Sequence, residues 1–339
     1  MLTQSALDGL LRLSAEIGGN RLLVQASGGN TSIKLGDTLW IKASGKWLAF
    51  AGNDEILVPI QLSAARDCLR QGTPLDCAIR NAGGGNHLRP SIETLMHAVL
   101  PHAVVVHVHS VNAIAWAVRA DAVARLAERL GGLRWQWVPY VPSGLPLARA
   151  VEAFAACDVF VLGNHGLVVC GGNCAETKAL LDEVESRLAI QPRSAPESKP
   201  LRQVQNATGW WFPNCERLNS VATDAISRSI AKGGILYPCQ AIFLGRTFSE
   251  FPCSTPRSPF WAFEGSGVLL SPSITKAEYA ILEGFAEVLS RISPAAPLCY
   301  LTQAEIDAAM GAESFQYRSA PDNRSPLQLT QRFTRTATL

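Results

Sequence analysis

Residues 91–109 read SIETLMHAVLPHAVVVHVH, and the reading of this stretch decides the fold. Ser91 is placed to cap a helix over Ile92 to Leu100, because its hydroxyl satisfies free amides of a first turn, and Pro101 ends the run. Val104 to His109 is apolar and β-branched, which predicts a buried strand. Strand side chains alternate, so the imidazoles of His107 and His109 project from one face.

Working outward, Ala113 to Leu130 is rich in Ala and Leu and reads as one helix stopped by Gly131 and Gly132. Val138 to Pro142 precedes a helix around 147–155. Val159 to Leu162 and Leu167 to Cys170 read as strands joined by a turn at 163–166, and Cys174 to Ile190 as a closing helix. Towards the N-terminus, Leu2, Ala6, Leu10, Leu13 and Ile17 recur at helical spacing, with Gly18 and Gly19 ending the helix. Leu22 to Gln25 is a short strand candidate. Residues 27–48 alternate β-like segments with Gly/Asn turns, as in an antiparallel meander, and Leu62 to Gln71 reads as a helix. Gly83 to Gly85 marks a loop. This succession predicts an α/β domain over residues 1–190.

The stretch QPRSAPESKPLRQVQN, residues 191–206, carries three prolines among polar residues and is the expected linker. Beyond it, residues 207–316 form a C-terminal extension. Strands are expected over Gly234 to Gly245 and Gly265 to Leu270, and helices over Ile274 to Ile292 and Thr302 to Met310. Residues 317–339, with few large apolar groups, read as a tail.

Composition narrows the function classes. Of the 339 residues 47% are hydrophobic and 17% charged, enough for a large core and inconsistent with bulk disorder. Thirty Lys and Arg face 28 Asp and Glu, a formal charge of +2 with no long basic block, so nucleic acid is not the expected partner. Thr94 to Val118 lacks charge and is long enough to span a bilayer, yet it holds Pro101, four histidines, Ser110 and Asn112, which suits a buried strand and helix instead. The first 19 residues lack a basic segment followed by an unbroken apolar run. The nine scattered cysteines then read as reduced thiols of a cytoplasmic protein.

Five of the six histidines fall between positions 87 and 109, and the sixth, His165, sits in the turn between two apolar strands. Three neutral imidazoles with one open position make a catalytic zinc site; the His107–His109 pair taken alone also fits two ordinary core histidines. Glu93 at a helix start either complements the helix dipole or serves as a base beside a metal. SGGNTSIK (27–34) and KASG (42–45) are loops whose exposed amides can cradle a phosphate or carboxylate, with Ser91 and Lys42 or Lys46 nearby, or are simply turns.

The order SGGNTS (27–32), KASG (42–45), SIETLMH (91–97), HVH (107–109), VPYVPSG (138–144) and GNHGLVVCG (163–171) resembles the class II aldolase/adducin family over most of residues 5–190. Its flavour is nearest the aldolase half of the bifunctional rhamnulose-phosphate aldolase/dehydrogenase proteins. No G-x-G-x-x-G turn follows residue 190, so no NAD is implied. The resemblance implies a three-layer fold with a mainly antiparallel central sheet between helices, plus a smaller α+β extension. It implies zinc on His107, His109 and His165, with Glu93 as acid/base. It also implies an anion pocket of Gly29, Asn30, Thr31, Ser44, Gly45 and Ser91, and Tyr140 as a group reaching a neighbouring subunit's site in a homotetramer. Ile92 stands where phosphate-binding members carry a second serine. The implied activity is aldol cleavage or formation in a small hydroxyketone, sugar or sugar acid, with or without phosphate, through an enediolate on the metal. Epimerisation, decarboxylation and dehydration draw on the same chemistry, and a non-catalytic adducin-like binding module is the alternative outside enzymes. His97 is expected to pack within its helix, and His87 and His102 to lie in loops.

Overall fold

A computed structural model describes residues 2–73, 75, 88–199, 209–251, 258–311, 317 and 320–325. The loop expected at 83–85, His87, residues 200–206 of the expected linker and most of the 317–339 tail lie outside the described residues. The chain divides into two compact units, one of Met1–Ala117 with Asp121–Ala189 and one of Val118–Ala120 with Ile190–Leu339.

The first unit is built on a seven-stranded sheet in the order β3-β2-β1-β4-β7-β6-β5. Its strands are β1 (Asn30–Leu35), β2 (Thr38–Lys42), β3 (Leu57–Gln61), β4 (Val104–Val108), β5 (Trp135–Val138), β6 (Val159–Leu162) and β7 (Gly166–Gly171). Every neighbouring pair is antiparallel except β5 with β6. The central strand β4 is buried throughout, as its run of valines requires. It pairs with β1 on one side, Asn30 opposite His107, and with β7 on the other, His107 opposite Val168.

Helices cover both faces. Helices α2 (Leu62–Gln71), α3 (Thr94–Val99) and α6 (Leu145–Glu152) share a core with Ile41, Ile60, Val105, Phe160 and Val168 of the sheet. On the other face lie α1 (Leu2–Gly19), α4 (Val111–Ala117) and α7 (Cys174–Leu188), α5 (Ala122–Leu130) packing on α7. Val105 faces the α2/α3/α6 core, so the two-residue period of the strand brings His107 to that same face.

Three local expectations are corrected in this unit. Leu22 to Gln25 is a turn, because the Asn20 carbonyl accepts from the amides of both Leu23 and Val24 and Ala26 takes a left-handed conformation. The helix expected over Ala113 to Leu130 is two helices. Between them Val118 accepts from the Cys299 amide and the Ala120 amide donates to Pro297, a strand-like pairing that helical backbone cannot make. The helix after Ser91 begins at Thr94, with Glu93 in the capping position and the Ser91 hydroxyl accepting from the Glu93 amide at 3.2 Å.

The second unit holds α8 (Glu216–Thr223), α9 (Ala225–Gly233), α10 (Pro238–Leu244), α11 (Lys276–Arg291) and α12 (Gln303–Ala309) with the antiparallel hairpin β8 (Phe260–Phe263) and β9 (Gly267–Leu270). The strand expected over 234–245 is largely the helix α10. Pro238 starts it with a helix-ready φ, and all of Cys239 to Leu244 is buried, so no amphipathic stripe marks it in the sequence. Arg193 fastens the start of this unit, donating to Asp224, Ser227 and the carbonyls of Leu289 and Ile292.

Candidate active site

His107 and His109 end the central strand, and His165 comes from the β6–β7 turn, where Asn164 takes φ +50° to reverse the chain. All three imidazoles are buried, and one ligand atom from each lies within 4.8 Å of the others. The strand end and turn pack this closely because Gly28, Gly29 and Gly166 surround them. A Cβ on Gly28 would sit 2.8 Å from His109 Nδ1, one on Gly29 2.6 Å from the His107 carbonyl oxygen, and one on Gly166 2.5 Å from the Val108 carbonyl oxygen. Gly29 also adopts φ +64°, which disfavours any side chain.

His107 Nδ1 lies 3.0 Å from the Leu167 carbonyl oxygen. A carbonyl only accepts, so Nδ1 donates to it and Nε2 is the nitrogen turned inward, the arrangement in which a histidine binds a metal. His107 Nε2 is 3.2 Å from His109 Nε2. Burial first, and then the neighbouring imidazole of His107, hold His165 down to about 4, with Glu93 opposing. His109 is held well below its ordinary value, again by burial first. Three buried imidazoles whose ring nitrogens converge, with His109 and His165 held neutral by burial, are the donor set that a borderline divalent ion takes, so the residues present fit a metal.

Glu93 is the acidic wall of the site. Its Oε2 is 3.4 Å from His107 Nε2 and its Oε1 3.3 Å from His165 Nε2. Asn30 Nδ2 donates to Oε2 at 2.7 Å, and Ser143 Oγ donates to Oε1 at 3.2 Å. Burial raises the Glu93 carboxyl, but His107, His165 and the Asn30 amide outweigh it and hold the group well below the usual carboxylate range. Asn30 Nδ2 also donates to Ser91 Oγ at 3.1 Å. The turn of Ser44 and Gly45 runs beside Ser91, since the Ser44 amide donates to Arg89, the Ser91 amide to Lys42, and Ala43 bridges Pro90.

Among the anticipated pocket residues, Gly29, Asn30 and Ser91 meet at the site and Ser44–Gly45 flank Ser91. Thr31 does not bring its side chain there: alternation along β1 turns it to the other face, where its hydroxyl lies 2.6 Å from Ser14 Oγ of α1. Lys42 is almost fully buried and donates to the carbonyls of Ser27 and Lys46 at 2.9 and 2.6 Å, tying the two glycine-rich loops together. Tyr140 is half-buried in the 139–144 segment that also supplies Ser143. Ser143 and His97 escaped the reading of the sequence as partners of the site; VPYVPSG draws attention to Tyr140 alone, and His97 is expected only to pack within its helix.

A model of the family described as Class II Aldolase and Adducin N-terminal domain matches residues 9–191. The chain belongs to this family. Class II aldolases typically depend on a metal and act on small molecules, and the seven-stranded sheet with its helices is that of the fold. The L-fuculose phosphate aldolase of Methanococcus vannielii is 28% identical over 170 residues, covering 46% of this chain and 80% of that protein. A Bacillus subtilis protein called Uncharacterized oxidoreductase YuxG is 33% identical over 174 residues, 46% of this chain and 25% of its own length. Thus the chain matches about a quarter of that relative, and 32% of a Nocardia farcinica protein called Probable bifunctional methylthioribose-1-phosphate isomerase/methylthioribulose-1-phosphate dehydratase, to which it is 28% identical over 197 residues. Among solved structures, the N-terminal class II aldolase domain of a Thermoplasma acidophilum protein aligns with 25% identity and a TM-score of 0.46, covering 54% of this chain and 91% of that one. Among the described residues, no helix is long and apolar enough to cross a membrane.

Proposed function

We propose that this class II aldolase family member is a zinc-dependent lyase that makes or breaks a carbon–carbon bond in a small hydroxyketone, sugar or sugar acid. The observation that carries the reading is Glu93, whose two oxygens lie 3.4 and 3.3 Å from His107 and His165: a proton-moving carboxylate and a three-imidazole donor set share one buried wall. His107, His109 and His165 would hold the zinc. When bound, the ion supplies Lewis-acid polarisation of a substrate carbonyl.

The remaining chemistry belongs to the chain. In bond formation a proton must leave the carbon next to the carbonyl, and Glu93, ionised in the resting site, accepts it; in cleavage the carboxyl so protonated returns it to that carbon. Asn30 and Ser143 hold its two oxygens in place while burial excludes bulk water. Gly29, Asn30, Ser44, Gly45 and Ser91 form the wall that receives the anionic or hydroxylated end of the substrate. Tyr140 serves the oxygen of the departing aldehyde fragment, acting across subunits of a homotetramer.

Metal analysis by mass spectrometry of untagged protein, with dihydroxyacetone in D2O as the probe, tests the reading. Wild type should hold about one zinc per chain and His107→Ala none, since two imidazoles leave the site incomplete. Glu93→Gln should keep its zinc and lose deuterium incorporation into the ketone. Protein that takes up no metal on reconstitution would leave the adducin-like binding role, and undiminished incorporation in Glu93→Gln would remove that residue from the chemistry.

A further inference from the structure

Four buried polar side chains run in line away from the histidine cluster, and only one end of the line takes part in the chemistry above. Ser32 and Asn30 are two apart on β1 and so face the same side; His97 in α3 lies between them, and Glu93 precedes the same helix. Ser32 Oγ is 2.7 Å from His97 Nδ1, His97 Nε2 contacts Asn30 Oδ1, and Asn30 Nδ2 reaches Glu93 Oε2 at 2.7 Å. All four side chains are at least nine-tenths buried, so water does not substitute for a missing link.

The chemistry of the groups gives the line a direction. A carboxylate accepts and never donates, so the Asn30 amide must turn Nδ2 towards Glu93, which leaves Oδ1 facing His97. An amide oxygen also only accepts, so His97 must carry its proton on Nε2. Burial first, and then the charge of Lys34, push His97 down to about 3, so the ring is neutral and Nδ1 accepts from the Ser32 hydroxyl. Turned the other way, the Asn30 amide would set its oxygen against the Glu93 carboxylate and its N–H against the N–H of His97.

We propose that His97 is a positioning residue for proton transfer: its Nε2–H, set by Ser32, locks the Asn30 amide in the one orientation that donates to Glu93. The proposal rests on the reading of Glu93 as the group that moves the proton. His97 touches no reacting atom; it acts through Asn30, and Asn30 acts on the carboxylate.

Imidazole nitrogen NMR of the full chain tests the first half without any substrate. The His97 signals, assigned by their absence from His97→Gln, should show a protonated Nε2 and a bare Nδ1, and Ser32→Ala should move the Nδ1 signal. A proton on Nδ1, or on both nitrogens, overturns the relay. The second half is read on Glu93 itself and on turnover. His97→Leu keeps the volume and removes the donor; Gln carries an N–H close to the place of Nε2. Leu should shift the carboxyl carbon resonance of Glu93 and lower kcat for deuterium exchange into dihydroxyacetone by about 10–100-fold, with KM and zinc content unchanged. Gln should recover most of both. Equal losses in Leu and Gln, or a fall in KM or zinc content instead of kcat, would mean that His97 only fills space. If zinc-loaded wild type exchanges no deuterium, the lyase reading falls, and the ring and carboxyl resonances decide the relay on their own.

Discussion

Asn30 and Thr31 adjoin on β1 and serve opposite faces of the sheet, so one residue of offset separates a group at the site from a group in the scaffold. Thr31→Val should therefore cost about 1 kcal/mol of stability, from the lost hydroxyl pair with Ser14. Urea unfolding measures that cost, and zinc content should stay at the wild-type value; loss of metal would return Thr31 to the pocket. Lys34, on the same strand, donates to the His102 carbonyl at 2.8 Å. Burial, with Arg66 adding and Cys170 opposing, lowers its pKa from 10.5 to about 8. Between those values the unfolded chain holds more protons at this position than the folded one, so its contribution to stability rises with pH. Relative to Lys34→Met, wild type should gain stability as pH climbs from 8 to 10.5, read from unfolding midpoints at each pH; a flat difference contradicts the assignment. At this scale the sequence was legible where the information is local. The two-residue spacing of His107 and His109 and the turn around His165 needed only neighbours. The role of His97 depends on Asn30, 67 residues earlier, and no periodicity records that.

Elements were legible in proportion to the asymmetry of their surroundings. The helix expected over Ile274 to Ile292 appears as α11, and Thr275 closes a reciprocal cap in which its hydroxyl accepts from the Glu278 amide while the Glu278 carboxylate accepts from the Thr275 amide. Thr302 and Glu305 repeat the device at α12. Helix α10 lacks both a polar face and a side-chain cap, which is why its apolar run read as a strand. Thr275→Ala should lower stability by about 1 kcal/mol, and Thr275→Ser by much less, since Ser also caps and keeps the hydroxyl that donates to Glu278. Thermal unfolding followed by circular dichroism distinguishes the two; equal losses would place the effect in packing instead of capping.

Over the whole molecule the two units carry different stabilising features. In the first, a metal taken up by His107, His109 and His165 would stabilise the folded state alone; in the second, Arg193 joins Asp224, Ser227 and two helix-end carbonyls. Hydrogen exchange read by mass spectrometry should show zinc slowing exchange in β4 and β7. Arg193→Ala should hasten exchange in α9 and at the end of α11 and leave those strands unchanged. Faster exchange in β4 on losing Arg193 would contradict this division. The family match, the sheet and the histidine set belong to the first unit, where motifs with a chemical reason are dense; the sequence of the second unit offers no such motif.

The pairing of Asn30 with His107 and of His107 with Val168 has a consequence for how such a protein can diverge. One inserted or deleted residue in β1, β4 or β7 would turn the wrong side chains to the site, so mutation by length is closed to these strands. The 139–144 segment, which brings Ser143 to Glu93 from outside the ladder, is under no such constraint. Selection can rewrite that segment while the buried histidine set is inherited whole.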